Sequence, residues 1–192
     1  HAMSSILDWL RGGDLRSDGA ANSVVDAVGN DLTLIPELMY GLSDESDVVR
    51  GRAADALEKV ARNHPEALLP HLEEITGEMN QSQVPMVKWH LAMLLGHLIP
   101  LGEKLDTICT ALINRLADDS VFTVSWSIVS LCILARSNPA YSQTALRSIR
   151  ALNSHPSKAV RAKVRYAIPL LTNPTTKFPS GWVKSDRTRS QI

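Results

Sequence analysis

Cysteine, aromatic residues and long apolar runs are all scarce in this chain of 192 residues. Two cysteines cannot build a disulfide framework, and Cys109 and Cys132, each standing alone, lack metal-site or redox-motif spacing. No apolar run reaches the ~18 residues that a membrane-spanning helix needs. The best stretch, Leu91 to Leu101, is short and carries His97 and Pro100. Glycine and proline number ten each, which excludes collagen-like, mucin-like and wholly disordered chains. No H-E-x-x-H, Gly-rich phosphate loop or G-x-S-x-G motif occurs, so neither a metal nor a cofactor is expected. His1 and Ala2, ahead of Met3, read as remnants of an expression tag and are set aside. The segment from Ser4 to Gly13 is too polar for a secretory signal. What is present is 44 % apolar and 21 % charged residues, enough for one continuous core. The expectation is a soluble cytoplasmic protein with reduced thiols.

The formal net charge of zero hides a split. Residues 1–135 hold 9 Lys/Arg against 19 Asp/Glu, a net −10, and residues 136–192 hold 11 against a single acid, Asp186, a net +10. A basic end of this kind suits nucleic acid, an anionic surface or an acidic protein; it also serves solubility or assembly.

The chain repeats itself. The nine residues from Val49 to Leu57 align with Val87–Leu95, Val124–Cys132 and Val160–Ile168, at shifts of 38, 37 and 36. Positions one, five, eight and nine are apolar in all four copies and form one stripe of an α-helix. Breaks at Asn63-His64-Pro65, Leu101-Gly102, Ser137-Asn138-Pro139 and Asn173-Pro174 keep the same period. A second set of turns falls mid-repeat, at Ser43-Asp44, Gln81-Ser82, Asp118-Asp119-Ser120 and His155-Pro156. Each repeat is therefore a helical hairpin, with A helices near 31–42, 66–79, 103–117 and 140–153 and B helices near 47–62, 84–99, 121–136 and 157–171. Ahead of them, residues 3–30 form N-terminal capping helices that hide the first repeat's open face. There, Ser5-Ile6-Leu7-Asp8 has capping-box-like spacing before a short helix carrying Trp9. The expected organisation is all-α: a cap, four repeats (31–64, 65–101, 102–138, 139–172) and an extended or disordered tail, 173–192. Phe178 and Trp182, four apart, are candidates to anchor that tail on the body.

The pattern resembles the HEAT family of α-solenoids. The resemblance rests on Ile35-Pro36-Glu37-Leu38, Leu42-Ser43-Asp44, Val48-Val49-Arg50, Ala53 and Ala56-Leu57, and it covers residues 31–172. It implies an α-α superhelix with the B helices on the concave side. It also implies a polar ladder of turn Asp and helix-B Arg, complete only in repeat 1 through Asp44 and Arg50, because Ser82 and Ser125 stand at the matching positions further on. Members of the family are mostly scaffolds for proteins or nucleic acids, and the fold itself licenses no chemistry.

At 100° per residue, the third position of each B helix points away from the core. It holds Gly51, Trp89, Trp126 and Ala162. The seventh position adds Asp55, Met93, Ser130 and Tyr166. The expected binding face thus carries Trp89, Met93, Trp126 and Tyr166, bordered at the second and fourth positions by Arg50, Arg52, Lys88, His90, Arg161 and Lys163. An aromatic strip with basic borders suits a protein or peptide with acidic and apolar side chains, or stacked nucleic-acid bases. Burial of the tryptophans by curvature, by a dimer contact or by the tail is the structural alternative.

Catalytic readings are poor. The histidines are scattered, and His64 and His155 precede prolines in turns. Cys109 and Cys132 lie within apolar helices, as core thiols do. The HEAT-like DNA glycosylases use concave tryptophans, basic residues and an Asp. Here Met93 and Ser130 stand one turn beyond the tryptophans, and Asp55 is the only acid on the expected face. The expectation is a non-catalytic binding module, with nucleic acid as the alternative partner.

Overall fold

A computed structural model describes residues 5–11 and 19–192. The described residues are all-α, with no strand. After α1 (Gly19–Asn30) come short outer helices α2 (Ile35–Tyr40), α4 (Pro65–Leu68), α5 (Leu72–Gln81), α7 (Leu105–Arg115) and α9 (Ser142–Arg150). They alternate with longer inner helices α3 (Asp47–Asn63), α6 (Pro85–Leu98), α8 (Val121–Ser137) and α10 (Lys158–Thr172). The inner helices pack in chain order, α3 on α6, α6 on α8 and α8 on α10, as an α-α superhelix of four hairpins. Its N-terminal end is covered by α1 against α3. A last short helix, α11 (Asp186–Arg189), lies in the tail.

The period of the sequence is the period of the stack. Val49, Val87, Val124 and Val160 are all fully buried at equivalent sites. The middle helices α6 and α8 are flanked on both sides by repeats, so they are apolar almost all the way round. α9 faces the core on one side only and carries Arg147 and Arg150 on the other.

The same local device starts each inner helix. Ser46, Ser120 and Ser157 cap α3, α8 and α10 by accepting from Val49, Thr123 and Val160 amides, and Pro85 opens α6 instead. Three residues before each start, a side chain closes the turn by accepting a backbone N–H. Asp44 takes that of Ser46 at 2.9 Å, Ser82 that of Val84 at 3.1 Å, Asp118 that of Ser120 at 2.8 Å and His155 that of Ser157 at 3.0 Å. Three residue types at four positions perform one task, since each offers an acceptor at the same reach. His155 is thereby a turn residue.

Three expectations need revision. The outer helix near 66–79 is broken: Pro70 sits in a 3-10 turn, Leu69–His71, between α4 and α5. Ser5 and Asp8 do not form a capping box. Ser5 Oγ and the Ile6 amide both donate to Glu37 Oε1, at 2.5 and 3.1 Å, so the outer helix of repeat 1 ties the chain start, and only a 3-10 turn, Asp8–Leu10, follows. The tail is neither disordered nor simply extended. Trp182 and Val183 are buried, Ser185 Oγ donates to the Arg62 carbonyl at 3.0 Å, and α11 packs on α3. Ser185 finds its acceptor 123 residues back along the chain, a contact that no local pattern announces.

Candidate functional site

The register fixes where each inner-helix side chain goes. The fourth position faces the preceding unit. Arg52 is buried and donates through Nη1 to the Leu10 carbonyl at 2.8 Å, clamping the N-terminal segment. His90 is buried, with Nδ1 2.7 Å from the Met86 carbonyl and Nε2 3.3 Å from Asp55 of the previous repeat. Both ring nitrogens face acceptors, so both bonds form together only in the imidazolium. The second position faces the following unit: the Lys88 ammonium meets the Asp118 carboxylate of repeat 3 at 2.9 Å.

These placements correct the binding face. Arg52, Lys88 and His90 are structural ties and do not border a groove. Met93 is buried as well. Arg50 is half-buried and donates through Nε to its own turn, at the Asp44 carbonyl. The ladder also departs from expectation. Asp44 pairs with Arg11 at 2.7 Å, and a rung not expected from the family pattern runs from Lys88 to Asp118.

What remains open is an aromatic strip near the starts of α6 and α8. Trp89 is half-buried, lies 3.5 Å from the His90 ring and has its centroid 5.8 Å from Phe122. Phe122 is 65 % exposed. One turn on, half-buried Trp126 has two ammoniums near its ring, Lys163 and Lys184, each 5.9 Å from the centroid. Lys163 also lies 4.8 Å from the Trp182 ring. Burial and the neighbouring Lys184 charge together push the Lys163 ammonium below its ordinary value. Tyr166 is exposed beyond them on α10. Arg161 is exposed too, but on another side of α10, where it donates to the carbonyls of His155 and Pro156.

Phe122 and Lys184 escape the register argument. Phe122 precedes the nine-residue core of the repeat; its only signal is lying four residues before Trp126, on the same helical face. Lys184 arrives with the tail. That tail covers the other half of the inner face: Arg136 donates to the Thr176 carbonyl at 2.9 Å and lies over Phe178, which meets Trp182 edge-on.

Beneath the tail, Glu58 is buried between His97 Nε2 at 3.2 Å and Arg62 at 2.5 Å. Burial alone raises its carboxyl pKa; the bonds from His97 and Arg62 outweigh it and hold the group below the usual range. Asp55 behaves likewise, with His90 and Lys59 overcoming burial. Burial pushes both thiols up, Cys132 far out of reach of neutral pH, which makes both poor nucleophiles. Among the described residues no group of His, Cys, Asp and Glu has metal-site geometry. No described helix is long and apolar enough to cross a membrane.

Chemically, then, the site offers flat apolar rings and two cations with no carboxylate partner among the described residues. The class that the fold defines is a repeat of stacked helical hairpins, an α-solenoid. No family model matches the sequence, and no curated protein matches it. Among solved structures it is similar to a designed armadillo repeat protein, at 14 % identity and a TM-score of 0.43, over 86 % of this chain and 98 % of that one.

Proposed function

We propose that the chain is a non-catalytic, HEAT-like binding module that grips a segment of a protein partner carrying apolar and acidic side chains. The observation behind this reading is the strip of Trp89, Phe122 and Trp126 with Lys163 and Lys184 at one end. Exposed aromatic clusters are costly in water and mark contact sites. Aromatic anchors dominate protein interfaces, and the two lysines supply the complement for a carboxylate. Catalysis has no support in the side chains. Asp55, the acid that a glycosylase-like reading needs, is engaged by His90 and Lys59.

The test is selection from a displayed random-peptide library. The reading predicts enrichment of peptides with a large apolar residue next to Asp or Glu, whose binding is lost in Phe122→Ser with thermal stability retained. Absence of enrichment, or peptides that bind Phe122→Ser equally well, overturns it.

A further inference from the structure

The open end of the stack carries a second surface, centred on a residue whose position is interior elsewhere. The sixth position of the inner helices holds Ala54, Ala92 and Val129, all shut away in the core. In α10 that position is Arg165, exposed, beside Arg161 at the second position and Lys158 three residues earlier. Polar residues cap the last unit of a solenoid, which accounts for polarity but not for a single sign. A cap serving solubility mixes charges, because like charges a turn apart repel. Each of the first three repeats has more acids than bases. Residues 139–172 hold Arg147, Arg150, Lys158, Arg161, Lys163 and Arg165 and no Asp or Glu.

Lys163 belongs to the aromatic strip. The other three cations of α10 run along about 10 Å of one helix edge, from the rise per residue. Arg161 is held in place by two turn carbonyls at 2.7 and 2.9 Å. Arg165 and Lys158 have no acidic partner among the described residues. A shallow cleft of about 410 Å³ lies against the edge, lined by Asn153, Arg161, Arg165, Ile168 and Pro169. Among the described residues the edge itself carries no exposed aromatic or large apolar anchor of the kind a protein interface needs; Tyr166, the nearest exposed ring, lies about 100° round α10 from Arg165. Guanidinium forks fit phosphate oxygens two at a time.

We infer that this end face binds the phosphate backbone of nucleic acid, duplex in preference to single strand, without reading sequence. Base stacking on aromatics is what favours single strands, and this edge lacks it. The surface is independent of the aromatic strip.

The experiment is fluorescence anisotropy of a labelled DNA duplex of about two helical turns, titrated with the whole chain at rising KCl. Three phosphate contacts give a slope of log K against log salt of about −2.7. Arg165→Glu and Lys158→Glu should each weaken binding at least several-fold, with unchanged melting by circular dichroism. Arg165→Lys should largely keep it, and Phe122→Ser should not alter it. Arg161→Glu is the less safe variant, since Arg161 also braces its turn. No binding at low salt, indifference to the Arg165 and Lys158 reversals, or tighter binding of a single strand of equal length overturns the inference. Competition by polyglutamate as strong as by unlabelled duplex also overturns it, and assigns the face to an acidic protein.

Discussion

Val124 is fully buried at the centre of the stack, between repeats on either side. Val124→Asp places an unpaired carboxylate there and should cost several kcal/mol, read by urea unfolding. Unfolding within ~0.5 kcal/mol of the parent would contradict the repeat register. At Gly41 an added Cβ would lie 2.7 Å from the Ala53 Cβ, which has nowhere to move. Gly41→Ala should therefore destabilise by about 1–3 kcal/mol, the usual cost of overpacking. Glu58 sets the acid limb of stability. Its folded pKa is depressed, so its contribution is whole above the ordinary glutamate value of about 4.3 and drains as pH falls from there through the lower folded value. Urea unfolding from pH 6 down to pH 3 should show the loss, and Glu58→Gln should flatten it. An unchanged acid limb in the variant would show that the buried Glu58–His97–Arg62 cluster does not govern it. The four valines were legible because a stripe repeats. The pairings of Arg52, His90 and Lys88 were not, since each partner belongs to a neighbouring unit and intrahelical spacing says nothing of which neighbour a side chain meets.

At the scale of elements, the tail is the part that sequence reading mistook. Its prolines, glycine and polar residues look like those of a free end. Its fate depends on Trp182 and Val183 reaching apolar surface on the inner helices, and on Ser185 bonding the Arg62 carbonyl. The candidate anchors Phe178 and Trp182 were visible in the sequence, but not that the tail would reach back to α3. Trp182→Ala should cost about 3–5 kcal/mol, as for other core aromatics. It should also raise amide hydrogen exchange in α11 and in the segment joining it to α10. Exchange in α11 already as fast in the parent chain as in an unstructured peptide would contradict the docking.

For the molecule as a whole, the stack presents surfaces of different character. One half of the inner face is closed by the tail, the other presents Trp89, Phe122 and Trp126, and the terminal edge presents Lys158, Arg161 and Arg165. The charge split of the sequence resolves into this arrangement: all the acids but Asp186 lie ahead of the last repeat, and half of the bases gather on the last repeat and the tail. The central claim is that the aromatic strip exists for contact and Trp182 for packing. Urea unfolding of Phe122→Ser beside Trp182→Ala tests it most directly. The account predicts a change within ~0.5 kcal/mol for Phe122→Ser, as for an exposed surface site, and a loss of about 3–5 kcal/mol for Trp182→Ala. Equal, large losses in both variants would assign Phe122 to the core and contradict it.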